Sequence, residues 1–215
     1  MAGPVIDVPA ATGPGVAGVP TGFPHTPQGA VGQLAAIETT LLQGMSIRQT
    51  ATAYESWALP GGVGVAGWAM TQNVQSFLAS AGQGQTKDMT VVVTATPVAG
   101  QVKGTDGPDW VLACVLLDIR ATVTTEARMG YGYCERMQWT PTTSITGGPA
   151  GPGAQAGAGT HWRWMIAPGA PAAPAPSTWP GTELSFAAGW RTWVTAPPSP
   201  PPPTEAPASN LTQAG

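Results

Sequence analysis

The sequence is poor in charged residues, cysteine and histidine, and each shortage excludes a class of function. Only 9% of its 215 residues are charged, against about 25% in an average soluble protein. The net charge of −3 provides no basic surface for nucleic acid, so we expect no nucleic-acid partner. Two cysteines and two distant histidines, His25 and His161, do not form a ligand cluster. We therefore expect no metal and no other cofactor.

Long apolar runs and catalytic motifs are also missing. No run of about 18 apolar residues occurs, so the sequence predicts no membrane span. The first twenty residues lack a basic segment followed by a continuous apolar one, and we do not expect a signal peptide there. Serine, histidine and acidic residues form no recognisable triad, and the glycines at 61–64 lack the strand and lysine of a phosphate loop. The sequence therefore predicts a protein that is not an enzyme.

Glycine and proline are abundant, with 29 and 24 residues, and this level is typical of long low-complexity segments. We predict a flexible leader at 1–24, a single domain at 25–194 with a Gly/Pro-rich insert at 140–160, and a Pro-rich disordered tail at 195–215.

Hydrophobic periodicity within that domain predicts an α+β fold. Apolar stripes and capping residues indicate helices at 27–44, 47–58 and 69–81, and a short C-terminal helix at 182–193. Alternating β-branched residues indicate a strand at 89–97, and Trp162, Trp164 and Ile166 on one face indicate a strand at 161–166; a long hairpin at 110–139 lies between them. The expected architecture is three N-terminal helices packed on a curved four-stranded antiparallel sheet, with disordered tails.

The hairpin has one apolar and one mixed face. The odd-numbered residues of its two strands, 111–121 and 129–139, are apolar apart from Glu135, and form the predicted core face. If the turn is centred on Thr124, Cys114 faces Cys134 at a separation that allows a cross-strand disulfide. Such a bond would imply an oxidising compartment. The alternative is a pair of free, buried thiols.

Basic side chains and two glycines share the even-numbered face of the hairpin. This face is either solvated or a docking surface for an acidic partner, and the two glycines mark a place where another chain could approach closely. The candidate partner surface comprises Arg120, Arg128, Gly130, Gly132 and Arg136.

Four strings of the sequence resemble a group of actinobacterial proteins: FPHTPQGAVGQLAAIE, GPDWVLACV, YCERMQW and WRWMIAPGAPAAPAPSTWPG. Together they cover about residues 25–190. The order of elements resembles the cone-shaped nuclear-transport-factor-2-like class, and the layout is similar to the small assembly subunit of type IV secretion and conjugation systems. The resemblance implies a domain on the extracellular face of the cell envelope if a membrane anchor precedes this segment. Otherwise we expect a cytoplasmic protein.

Three functions fit these observations. The first is a non-enzymatic protein-interaction module of a cell-envelope, conjugation or secretion-type assembly, whose partners are other protein subunits or further copies of itself. The second is a small-molecule-binding or enzyme domain whose cone pocket is lined by Met129, Tyr131, Tyr133 and Trp164. A cavity beside a buried ionisable group would favour this function, and a solid core would exclude it. The third is a phage or mobile-element structural protein.

Overall fold

The computed structural model describes residues 3–122, 125–144, 159–170, 172 and 175–197. The strands are β1 Val5–Pro9, β2 Gly13–Pro14, β3 Pro20–Thr21, β4 Val92–Asp106, β5 Trp110–Thr122, β6 Glu126–Ser144, β7 Gly159–Ile166 and β8 Arg191–Ala196. The helices are α1 Pro27–Gly44, α2 Ile47–Trp57, α3 Gly64–Gly67, α4 Ala69–Ser80 and α5 Glu183–Ala187, with a 3-10 turn at Val16–Gly18.

Six of the strands form one curled, mixed sheet, in the order β1-β8-β4-β5-β6-β7. Every neighbouring pair is antiparallel except β1 and β8, which run parallel. The sheet curves into a half-barrel, and β2 and β3 form a separate two-stranded sheet. The predicted four-stranded antiparallel sheet is therefore wrong. Two further strands of this sheet, β1 and β8, come from the predicted leader and from the end of the predicted C-terminal helix with the start of the tail.

The N-terminal segment is part of the fold. Ile6 and Val8 of β1 are buried while Val5 is exposed, so the strand presents one apolar face to the core. The strand pairs with β8 over its full length. Residues 5–9 therefore form a strand instead of part of the predicted flexible leader. The sequence does not predict this strand, because a short alternating pattern is hard to recognise among glycines and prolines.

The C-terminal segment splits into a helix and a strand. Thr182 caps α5, as predicted, through a hydrogen bond from the Ser185 backbone N–H to its Oγ1 at 3.2 Å. The helix ends at Ala187 instead of 193, since Gly189 adopts a positive φ of 90° that an α-helix cannot continue. Residues 191–196 then form β8. The predicted tail begins inside this strand, and its residues 198–215 lie outside the described residues, as does most of the 140–160 insert.

The three longer helices lie where the sequence predicts them, although β1 to β3 precede them. Helix α1 begins after Thr26, whose Oγ1 accepts a hydrogen bond from the Gly29 backbone N–H at 3.0 Å, and has Pro27 at its first position. It crosses the concave face of the sheet against β4 and β5. Leu34, Ile37 and Leu41 on its buried side are fully enclosed. No helix within the described part of the chain is long and apolar enough to span a membrane.

The predicted register of the central hairpin is confirmed. Ile119 pairs with Met129 and Val115 with Tyr133, and both pairs face the helices. Cys114 pairs with Cys134 on the opposite, outer face, and the two residues form the predicted disulfide. This bond belongs to a second apolar cluster on the outer face, built from Ala99, Cys114, Leu116, Cys134, Ala175 and Trp190.

Residues 175–182 cross the outer face of β6 and are called the strap here. A Cβ atom at Gly130 or at Gly132 would collide with the backbone of the strap. The Gly132 N–H donates to Ser177 Oγ at 3.1 Å, and Trp190 Nε1 donates to the Pro176 carbonyl at 3.1 Å. The close approach that the two glycines predicted for another chain is therefore made by a segment of the same chain.

The role of β1 can be tested with two valines on the same strand. Val8 is fully buried and Val5 is 47% exposed. We expect Val8→Ala to lower the free energy of unfolding by about 2 kcal/mol, because it removes buried methyl groups, and Val5→Ala to change it by less than about 0.5 kcal/mol. Guanidinium unfolding measures both. Equal, negligible effects would show that residues 5–9 do not stabilise the domain.

Candidate functional site

A cavity of about 490 Å³ opens between the C-terminal half of α4 and the ends of β4, β5 and β6. We call it the mouth cavity. Its walls are mainly apolar and include Met45, Phe77, Leu78, Val91, Val93, Ile119, Ala121 and Met129, and its polar groups include Gln83 and Lys87. The volume lies within the range of small-molecule sites.

The four residues predicted to line a cone pocket do not line one cavity together. Met129 lies in the wall of the mouth cavity and is 40% exposed. Tyr131 is buried just behind that wall, with its ring 6.0 Å from the ring of Phe77. Tyr133 lies one pleat deeper, 6.2 Å from Tyr131 between ring centroids. Trp164 is buried apart from them, where its Nε1 donates to the Pro24 carbonyl at 2.9 Å.

Behind these tyrosines lies a polar cluster inside the apolar core. The acid–tyrosine cluster consists of Glu38, Trp68, Asn73, Tyr131, Tyr133 and Glu135. The Tyr133 hydroxyl and the Trp68 Nε1–H both donate to Glu135 Oε2, at 3.0 and 3.3 Å. The Asn73 amide donates to the Tyr131 hydroxyl oxygen at 2.5 Å. Glu38 of α1 is fully buried, and neither of its carboxyl oxygens has a hydrogen-bond partner.

Burial dominates the electrostatics of this cluster. It raises the pKa of Glu38 well above its ordinary range, and the nearby Glu135 raises it further. Burial also raises the pKa of Glu135, against the hydrogen bonds from Tyr133 and Trp68 that favour its charged form. The pKa values of Tyr131 and Tyr133 rise for the same reason. Desolvation disfavours charged side chains in such a site, so the two carboxyl groups and the two tyrosine hydroxyls are favoured in their protonated forms.

A second, smaller cavity of about 220 Å³ lies at the edge of β6. We call it the edge cavity. Strand β7 pairs with β6 only from Met137 onward, which leaves the preceding part of that edge without a neighbouring strand among the described residues. The cavity lies between this edge and α4, and its walls include Ala69, Asn73, Tyr133, Glu135, Ala172 and Ala175. It thus adjoins the acid–tyrosine cluster from the side.

The basic residues of the predicted partner surface are largely engaged within the chain. Arg128 makes a two-point contact with Asp118, at 2.7 Å for each nitrogen–oxygen pair, and Arg120 lies 3.5 Å from the same carboxylate. Arg128 and Arg120 are direct cross-strand neighbours, and Asp118 offsets their repulsion. The pKa of Asp118 is lowered mainly by the hydrogen bond from Arg128, and to a smaller extent by the positive charge of Arg128. Arg136 donates to the Ala170 carbonyl.

An exposed aromatic stack, which the sequence reading did not identify, lies at the other end of the sheet. His25 stacks on Trp139 with ring centroids 4.7 Å apart and planes 7° apart, and Trp139 is followed by Trp162 at 6.5 Å and 18°. Trp162 is 55% exposed. Asp109 holds the His25 ring at 2.7 Å. The pairing of β6 with β7 brings Trp139 and Trp162 together. No local motif in the sequence predicts this pairing.

Comparisons of the chain with protein-family models, with curated proteins and with solved structures found no significant match. The described residues also contain no group of three or more histidine, cysteine or acidic side chains that could hold a metal ion.

The buried Glu38 should make stability depend on pH. Its pKa in the folded state is raised, so the stability is fully present below the ordinary value near 4.5 and is lost as the pH rises through the raised pKa. Glutamine carries no titrating proton at this position. We therefore expect the unfolding free energy of Glu38→Gln to fall less than that of the unaltered protein between about pH 4 and pH 8.

Urea unfolding at both pH values measures this difference. Glu55→Gln, at an exposed position of α2, is the matched control and should follow the unaltered protein. If Glu38→Gln also follows it, the carboxyl group of Glu38 does not titrate differently in the folded and unfolded states.

Proposed function

We propose that the protein is a binding module for a small, mainly apolar molecule, which enters the mouth cavity. The observation that carries this proposal is the cavity itself, an open pocket of about 490 Å³ lined mainly by apolar side chains of α4 and three strands. A core packed solidly between the helices and the sheet would leave no such space. A cavity next to buried ionisable groups is the combination expected of a binding domain.

The polar groups of the mouth cavity favour a ligand with an anionic end. Lys87 is half-buried, and its ammonium group donates to the Val91 carbonyl at 3.0 Å. An ammonium group has three donors, so two remain for a ligand. Gln83 adds an amide to the same wall. A molecule with an apolar body and a carboxylate or sulfonate would match both parts of the cavity.

Filling the mouth cavity tests the proposal. Ala121 lines it, whereas the next residue, Thr122, is exposed and points to the opposite face of β5. Anilinonaphthalene sulfonate is a suitable fluorescent probe, since it combines aromatic rings with an anion. We expect Ala121→Trp to weaken its binding about tenfold or more, which corresponds to about 1.4 kcal/mol. Thr122→Trp should bind as the unaltered protein does.

Two further measurements make this test decisive. Thermal unfolding shows whether each variant is folded before its dye affinity is compared. Lys87→Gln should weaken binding of the anionic dye and leave binding of an uncharged dye, such as Nile red, unchanged. Equal binding by the two tryptophan variants would place the dye elsewhere and contradict the proposal.

A second candidate function is a protein-interaction module of a cell-envelope, conjugation or secretion-type assembly. The exposed aromatic stack favours it, because tryptophan is enriched where protein partners dock. Trp162 is 55% exposed, and Trp179 of the strap is 51% exposed. The disulfide between Cys114 and Cys134 is compatible with an extracellular location. On this proposal the partners are other protein subunits or further copies of the chain.

The oxidation state of the cysteines in the native host tests that location. Cells are lysed in an alkylating reagent, and the mass of the unreduced protein is measured. We expect no alkylation before reduction and two alkylated cysteines after it. Two alkylated cysteines without reduction would place the protein in a reducing compartment and contradict an envelope location.

A further inference from the structure

Two carboxyl groups lie in the acid–tyrosine cluster without a cationic partner. The ion pairs of the described residues all lie elsewhere, between His25 and Asp109 and around Asp118. Neither oxygen of Glu38 has a hydrogen-bond partner, and Glu135 is only 6% exposed. Buried carboxyl groups are normally paired or fully hydrogen-bonded, because removing them from water is costly. Each of these two carboxyl groups therefore needs either a bound proton or a nearby cation to remain buried.

The edge cavity gives a ligand access to the part of this cluster that contains Glu135 and Tyr133. Glu135 and Tyr133 form part of its wall, and the Asn73 side chain lies on the opposite side, on α4. The remaining wall includes methyl groups of Ala69 and Ala175. The volume of about 220 Å³ is below that of a drug-sized site and admits a molecule of only a few heavy atoms.

We propose that the edge cavity binds a small primary alkylammonium ion. The carboxyl group of Glu135, in the cavity wall, accepts a hydrogen bond from the ammonium group, and the bound cation also offsets the repulsion between Glu135 and Glu38 behind it. The aromatic ring of Tyr133 attracts the cation as well. The alanine methyl groups contact the alkyl part, which a strongly hydrated inorganic ion lacks.

The donor set argues against a metal ion as the occupant. Calcium takes six to eight oxygen ligands, whereas the cluster offers two carboxyl groups, and the described residues provide no third metal-binding side chain beside them. An ammonium group needs only two or three acceptors and tolerates an apolar wall.

Binding should strengthen as the pH rises, because a cation prefers the ionised carboxyl groups. Glu38 on α1 and Glu135 on β6 are the acids concerned, and the raised pKa values of both favour their neutral forms when the site is empty. The other titrating groups that face them are Tyr131 and Tyr133, whose raised pKa values keep them neutral. Arg136, next to Glu135 in the chain, adds a positive charge that favours ionised Glu135.

The test uses the full chain and ethylammonium chloride as the probe. We expect ethylammonium to raise the melting temperature in a saturable way at about pH 8, as a ligand specific for the folded state does. Sodium chloride at the same ionic strength, tetramethylammonium and ethanol should not. Tetramethylammonium lacks an N–H donor, and ethanol lacks the positive charge. The two controls therefore distinguish the contribution of the N–H hydrogen bond from that of the charge.

Substitutions locate the site. Glu135→Gln should weaken ethylammonium binding about tenfold or more, and the exposed Glu55→Gln should leave it unchanged. If Glu135→Gln does not fold, Glu38→Gln provides the same test, with weaker binding and a smaller pH dependence. Ala121→Trp, which blocks only the mouth cavity, should bind ethylammonium normally, so this site and the proposed function can fail independently.

Three results would overturn the proposal. The first is equal stabilisation by sodium chloride or tetramethylammonium, which would indicate a general salt effect. The second is stronger stabilisation by magnesium or calcium than by ethylammonium. The third is undiminished ethylammonium binding in a folded Glu135→Gln or Glu38→Gln variant.

Discussion

The antiparallel register of β5 and β6 is the constraint on which the rest of the structure depends. It assigns each side chain of these two neighbouring strands to one face of the sheet. On the concave side it aligns Met129, Tyr131, Tyr133 and Glu135, and so connects the mouth cavity with the acid–tyrosine cluster. On the convex side it brings the two cysteines together. A shift by one residue would exchange the two faces and bury the charged residues instead.

The two faces are covered in different ways. Helix α1 covers the concave face with large aliphatic side chains. The convex face is covered by the strap and Trp190, and this thin layer requires Gly130 and Gly132 beneath it. Pro176 and Pro180 each fix one φ angle of the strap, which lowers the entropic cost of holding this irregular segment in one position. The same glycines could not serve as an open docking surface while the strap lies on them.

Local signals in the sequence predicted much of this fold. The three longer helices carry caps and apolar stripes, and apolar residues alternate along both strands of the hairpin. Each of these elements can therefore be predicted without knowledge of the tertiary structure. Strands β1 and β8 do not, because each is short and is stabilised by pairing with the other end of the chain. Tertiary pairing of this kind overrides weak local preference. For this reason the prediction divides residues 191–196 between the C-terminal helix and the tail, whereas they form β8.

The candidate site was only partly predictable. Glu135 was recognisable as the one charged residue on an apolar strand face. Glu38 was not recognised, although it follows Leu34 by four residues and precedes Leu41 by three, which places it on the buried side of α1. Neither cavity can be read from the sequence, since a cavity depends on how far α4 stands from the sheet. The exposed aromatic stack likewise requires the pairing of β6 with β7.

The pairing of β1 with β8 also has a consequence for synthesis in the cell. Among the described residues the first strand, β1, pairs with the last, β8, so β1 has no sheet partner until residues 191–196 have been made. Ribosomes release the N-terminus first, at about 5–20 residues per second. During that interval the backbone N–H and C=O groups of β1 have no strand to pair with, and closing so long a loop is slow. The edge of the sheet is therefore completed last, and an incomplete chain that stops before residue 191 would expose an unpaired strand edge, the kind of surface that promotes aggregation.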